Sequence, residues 1–336
     1  MSRRMQNLSG EVLSASCTPL RSSRQPHAGH ISLVDHAKRL MLPFSPKGGA
    51  TVAAQMFYRY EGVYEVAYAY NKWIHEFRLQ VFNKQPVHAP VRCAKVCTSG
   101  WTCVWLVRQP LDRVVSSYQF ALSGWKQMAA PWNELTQLKL KGGNADDATE
   151  SMLGMILATT TFEEFIMALS KRAQTRTTSQ ADDHFMPQLS TWRDSDRCNG
   201  TPDAHNQSAL PVYYVPVECL DGSLIALEHA IGVGFNATGL TSSHYNHDKV
   251  HASREYADVT SWPFERVKVE RPPYELFTSQ NLDIARRTCC LFSDDICMYR
   301  RACKQKWLQH GTCVAECSRQ LARLAQVCGE LQCAQV

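Results

Sequence analysis

No apolar run in this chain reaches the roughly 18 residues that a membrane-spanning helix needs. The opening stretch MSRRMQNLSGEVLSAS also lacks the apolar core of a signal peptide. No membrane anchor is therefore visible in the sequence. No run of Lys and Arg resembles a nucleic-acid-binding tail, so no nucleic-acid partner is expected. The order GxxxxGK[ST] is missing, which points away from an ATPase. No acidic residue after a strand stands out as a Mg²⁺ ligand. No CxxC and no paired His accompany the cysteines of the C-terminal tail, so disulfides are expected there and no metal.

What is present suits a globular domain. The chain has 336 residues, 44% hydrophobic and 20% charged, enough for one large domain or two small ones. Its net charge of +5 suits an anionic nucleotide or an acidic glycan. Cysteine is plentiful, at 14, with a cluster from Cys289 to Cys333. Sequons stand at Asn7, Asn199, Asn206 and Asn236. Cysteines and sequons both lean toward an oxidising, secretory compartment.

The most specific stretch is LPFSPKGGATV, Leu42 to Val52. A short apolar run stops at Pro46. Lys47, Gly48, Gly49, Ala50 and Thr51 follow, and Val52 leads into a helical pattern. Strand, glycine turn and helix start form a geometry that holds an anion on backbone N–H groups. A second strand-like run, CVWLV from Cys103, leads into RQPLDRVVSSY, Arg108 to Tyr118. Pro110 suits the first helical turn and Asp112 the positive helix end.

Further along, Val52 to about Phe82 has a helical stripe: Met56, Tyr60, Val63, Val66, Tyr70 and Trp73, with Gly62 as a candidate break. Thr161-Phe162-Glu163-Glu164 has capping-box spacing and predicts a helix to about Ala173. LPVYYVPVEC, Leu210 to Cys219, predicts a strand, and Leu220 to Val233 a helix. Asn281 to Lys304 predicts one helix, followed by a helical tail with disulfides inside it. Alternating strands and helices imply an α/β class with a parallel sheet, and ligands bind at the C-terminal ends of such strands.

Together, PKGGAT and RQPLDRVVSSY resemble the two donor-binding motifs of sulfotransferases, most closely the carbohydrate branch, whose second motif reads roughly RDPxxRxxSxY. Gln109 stands here where that branch has Asp. The resemblance implies a three-layer P-loop-like fold, a central parallel sheet flanked by helices. It implies 3′-phosphoadenosine-5′-phosphosulfate (PAPS) as donor and a carbohydrate acceptor. Lys47, Gly48, Gly49, Ala50, Thr51 and Val52 would hold the 5′-phosphosulfate. Arg108 and Ser116, eight positions apart, would hold the 3′-phosphate. The segment DDHFMPQ, Asp182 to Gln188, resembles the family's DxHWxPQ, with Phe185 replacing Trp. Phe292, Asp295, Ile296 and Tyr299 match a late YxxDFxxF helix with changed aromatics. The organisation implied is an arm over 1–36, a sulfotransferase domain over 37–304 and a Cys-rich helical tail over 305–336. A Golgi or secretory location follows from the resemblance, although the missing anchor leaves a cytoplasmic one open.

Sulfuryl transfer needs a held donor, a cation for the leaving oxygen and a base for the acceptor hydroxyl. Lys47 is the candidate cation. His75, with neighbouring Glu76, is a candidate base, and His184 a candidate acceptor contact. Two other readings stand beside this one: a P-loop small-molecule kinase, and a nucleotide-binding protein of the same fold without turnover. The acceptor itself is not legible, since it is chosen by loops over about 124–147 and 176–210. Arg172, Arg176, Arg193 and Arg197 suit either an anionic glycan or a solvated face.

Overall fold

The computed structural model describes residues 19, 32–45, 48–70, 74–91, 100–120, 161–175, 187–188, 212–235, 277, 282–308 and 312–329. Four strands form one sheet in the order β1-β2-β3-β4: β1 (Ser32–Asp35), β2 (Leu40–Pro43), β3 (Thr102–Val107) and β4 (Val212–Pro216). The strands β2, β3 and β4 run parallel, with Met41 opposite Cys103 and Trp105 opposite Tyr214. They are apolar on both faces, as parallel strands covered by helices are.

The expectation of a wholly parallel sheet needs a correction, because β1 pairs antiparallel with β2. Only residues 36–39 join them, and a parallel pair needs a crossover of a dozen residues or more. The backbone N–H of Lys38 donates to Asp35 Oδ1 inside this turn. Strand β1, fully buried, lies within the stretch 1–36 that was expected to be an arm.

Side-chain alternation splits the interior in two. Leu33, Leu40, Leu42, Val104, Leu106 and Val215 face one core. It is covered by α1 (Ala50–Tyr60), α2 (Tyr64–Tyr70), α3 (Ile74–Gln80) and α6 (Leu220–Ile231). Val34, Met41, Cys103, Trp105, Val107 and Tyr214 face the other core. There the cover comes from α4 (Pro110–Phe120), α7 (Leu282–Leu291), α8 (Ser293–Cys303) and α9 (Thr312–Cys328). Between them in sequence, α5 (Phe162–Thr175) packs on α4 and α7.

Several expectations change in detail. Val52 to Phe82 is three short helices and a 3₁₀ turn, with Gly62 (φ 71°) at the first break. The expected stripe does not share one buried face. Met56 is buried, but Val66 is 61% and Tyr70 52% exposed, because the chain turns between the helices and resets the register. Residues 281–304 form two helices, broken at Phe292. The capping box at Thr161 is present: Glu164 N–H donates to Thr161 Oγ1 at 3.2 Å, and Thr161 N–H donates to Glu164 Oε2 at 3.1 Å.

The disulfides are not confined to the C-terminal cluster. Disulfides join Cys219 to Cys313, Cys289 to Cys328 and Cys303 to Cys317. The first ties α9 to the end of β4, across 94 residues. Leu324 and Cys328 of α9 sit in the same core as β3. All four sequons lie outside the described residues.

Candidate functional site

The C-terminal ends of β2, β3 and β4 lie along one edge of the sheet. Three segments meet there: residues 44–45 with 48–50, Arg108–Gln109, and Val217 to Cys219.

The first turn feeds the N-terminus of α1. Gly49 sits at the cap position with φ 100°, a left-handed conformation that L side chains rarely adopt. A Cβ on Gly49 would lie 3.0 Å from Val217 Cγ2, and a Cβ on Gly48 would overlap Ser45 Oγ and approach Gln188 Oε1 to 2.8 Å. Both positions are shaped for bare backbone. Gly48 N–H donates to the Ser45 carbonyl, and the first helical bond is Ala53 N–H to the Gly49 carbonyl. The N–H groups of Ala50, Thr51 and Val52 come before that bond, so the helix cannot satisfy them. No side chain caps the helix and no acidic residue lies in its first turn. An uncapped, positive helix end lined by glycines fits a phosphate or sulfate. Residues 48–52 therefore fit the group that the sequence assigned to them.

His75, on α3, comes to this helix end. Its Nε2 lies 3.3 Å from Thr51 Oγ1, and its ring sits 6.3 Å from that of Phe44. Here the structure brings two predicted site residues together across 24 positions.

The second turn is held by side chains. Arg108, at the end of β3, is half-buried. Gln109 is fully buried, and its Oε1 accepts from the N–H of Asp112, capping α4. Asp, the residue expected here by resemblance, is itself a favoured helix cap, so the departure at Gln109 keeps the capping function. Gln109 N–H donates to Glu218 Oε1 at 2.7 Å, and Tyr299 O–H donates to Glu218 Oε2 at 3.0 Å. Burial raises the Glu218 carboxyl to about 7, against the opposing pull of the Gln109 N–H and the Arg108 charge. Ser116 sits two turns into α4 and is buried, as is Arg113, the residue read as structural.

One residue joins the two turns. Gln188 is 1% exposed. Its Oε1 accepts from Arg108 N–H at 2.9 Å, and its Nε2 donates to the Arg108 carbonyl at 2.8 Å. The same Oε1 faces Gly48. Its own N–H donates to Asp295 Oδ2 at 2.7 Å, from a buried carboxylate on α8. Gln188 and Asp295 come from the two weaker segments of the resemblance, and the fold places them in contact. Neither was assigned a role from sequence. The signal was there, but nothing in the spacing says that residues 107 apart meet.

Lys47 and His184 lie outside the described residues, as do Arg176, Arg193 and Arg197. The site residues that the structure brings to one edge are Gly48, Gly49, Ala50, Thr51, Val52, His75 and Arg108, while Ser116 lies buried two turns into α4. Sequence reasoning missed the roles of Gln188, Glu218, Asp295 and Tyr299. Among the described residues, one group has metal-ligand potential: Cys219, Cys313 and Cys317, with sulfurs within 4.8 Å of one another. All three sulfurs are in disulfides, which leaves no thiolate to bind an ion. No family model, no curated protein and no solved structure matches the chain.

Proposed function

We propose that this chain is a sulfotransferase that moves the sulfuryl group of PAPS to a hydroxyl of a carbohydrate, on a three-layer P-loop-like fold. One observation carries the reading. Gln188 hydrogen-bonds both backbone groups of Arg108 in the second motif while its Oε1 lies against Gly48 of the first, at the C-terminal edge of adjacent parallel strands.

The N–H groups at residues 50–52 are suited to the 5′-phosphosulfate, and Arg108 with Ser116 to the 3′-phosphate. Arg can grip a phosphate through two parallel bonds, which makes the 3′-phosphate the natural point of nucleotide selection. When bound, PAPS supplies the sulfuryl group: the acceptor oxygen bonds to sulfur as the bond from sulfur to the phosphate oxygen breaks. The acceptor's proton needs a base. His75 is the candidate, since its Nε2 already stands at the helix end where the sulfuryl group would lie. Lys47 is assigned the charge on the leaving oxygen, and His184 an acceptor contact. The disulfides suit a secretory or Golgi compartment.

The test is calorimetric binding of 3′-phosphoadenosine-5′-phosphate to wild type and Arg108→Ala, with AMP and ATP as controls. Binding that needs both the 3′-phosphate and Arg108 supports the reading. Preference for ATP with Mg²⁺ would overturn it in favour of a kinase.

A further inference from the structure

Arg78 lies one turn beyond His75 on α3, three positions along, and so shares its face. It is 8% exposed. Its guanidinium carbon stands 4.9 Å from the centroid of the Phe44 ring, which also neighbours His75. Contacts therefore run from Arg78 through Phe44 and His75 to Thr51 at the N-terminus of α1.

Among the described residues no carboxylate pairs with Arg78, and its Nε and Nη1 have no hydrogen-bond partner. The titratable group nearest to it in effect is Tyr58, whose hydroxyl is also buried and has no hydrogen-bond partner among the described residues. Burial pulls Arg78 down to about 10, which still leaves it charged at neutral pH. Burial pushes the Tyr58 phenol up, so it keeps its proton and can donate.

A buried cation with no counter-charge is costly, and proteins keep such groups paired. Here the buried groups are a guanidinium and a phenol, and among the described residues no acceptor answers Arg78 Nε, Arg78 Nη1 or the Tyr58 hydroxyl. N–H donors with one positive charge match an oxyanion, and the planar guanidinium fork matches two of its oxygens. We propose that Arg78, with the Tyr58 hydroxyl, is the inner end of an oxyanion site that takes a sulfate group beside Phe44 and the N-terminus of α1. The source of that group rests on the donor reading above. It is either the sulfuryl group of PAPS or a sulfate already carried by the acceptor, and the chemistry recognised is the same.

The experiment is thermal unfolding of the whole chain in sodium sulfate and in sodium chloride at equal ionic strength. Wild type, Arg78→Met, Arg78→Lys and Tyr58→Phe are compared. Sulfate raises protein stability in general by exclusion from the surface, so the difference between variants is what counts. The wild type is expected to gain a sulfate-specific rise that Arg78→Met loses and Arg78→Lys keeps in part. Without sulfate, Arg78→Met is expected to melt at or above the wild-type temperature, since an unpaired charge has gone. Equal sulfate responses in wild type and Arg78→Met overturn the proposal. If Arg78→Met does not fold, Tyr58→Phe decides: a reduced sulfate response supports the site and an unchanged one overturns it.

Calorimetry separates the sources. Suppose the donor supplies the group. Wild type then binds PAPS about 10- to 100-fold more tightly than 3′-phosphoadenosine-5′-phosphate, the scale of a charge-assisted hydrogen bond, and Arg78→Met does not distinguish them. If the acceptor supplies it, N-acetylglucosamine 6-sulfate binds wild type and not Arg78→Met. If the desulfated nucleotide fails to bind while the sulfate response still depends on Arg78, the donor reading falls and the oxyanion site stands.

Discussion

The two turns at the sheet edge solve the same problem in opposite ways. Each ends a parallel strand and starts a helix with unsatisfied N–H groups. In the second turn side chains answer the backbone: Gln109 caps α4, Glu218 takes the Gln109 N–H, and Gln188 takes both backbone groups of Arg108, although Gln109 Nε2 and Asp112 Oδ1 are buried without a hydrogen-bond partner among the described residues. In the first turn nothing caps α1, and glycines hold side chains away. The difference is one of timing. The backbone of the second turn is held by the protein's own side chains, which would fix the place of Arg108 for a ligand. The first leaves N–H groups with no side-chain cap, and on the proposed reading it should gain more order when an anion binds.

The sharpest way to break this arrangement is Gln188→Leu. Leu fills similar space but leaves the Arg108 N–H and carbonyl without partners. Urea unfolding should show a loss of about 2–4 kcal/mol, the cost of stranding two partly buried polar groups. Nucleotide binding should weaken in both turns together. A variant that loses neither stability nor binding would mean that the two turns are not coupled through this residue.

Gly49→Ala strikes the first turn alone. A left-handed backbone and a Cβ 3.0 Å from Val217 should together cost about 1–3 kcal/mol. Binding of 3′-phosphoadenosine-5′-phosphate should fall while the second turn keeps its structure. Unchanged binding in calorimetry would place the anion elsewhere.

How much of this was legible follows from range. The glycine turn, the Thr161 capping box and the apolar strands are written within a few adjacent residues, and each appears where its pattern put it. The sheet edge itself was legible, because strand, turn and helix follow one another in the chain. Gln188 to Arg108 and Asp295 to Gln188 span 80 and 107 residues, and no local pattern encodes such pairs. The antiparallel β1 was missed because a four-residue strand in a polar, His-rich context carries little periodic signal. Cys219 was missed as a disulfide partner because the cluster near the C-terminus drew all the pairing to itself.

Glu218 gives the comparison a pH dependence. Its folded value is raised to about 7 from 4.5. Between those values the folded state binds more protons than the unfolded state, so this group makes stability fall as pH rises through that window. Glu218→Gln keeps an acceptor for the Gln109 N–H and cannot ionise. At pH 8 it should be more stable than wild type by about 1–3 kcal/mol, and near pH 4 the gap should close. Chemical unfolding across this range tests it. A gap that is constant with pH would mean that Glu218 stays ionised beneath the second turn.

The smallest effect belongs to Gln109→Ala, and it separates the turns most cleanly. Truncation removes the cap on the Asp112 N–H but leaves the Gln109 backbone bonded to Glu218. A lost N-cap costs about 1 kcal/mol. That loss should appear with no ligand present and should persist unchanged when nucleotide is bound, because the cap is internal to the protein. A loss that ligand repairs would be the signature of the first turn, whose N–H groups are the ones left for an anion. Unfolding midpoints with and without 3′-phosphoadenosine-5′-phosphate measure both quantities. If ligand abolishes the cost of Gln109→Ala, the second turn is also ligand-completed, and the contrast between the two turns fails.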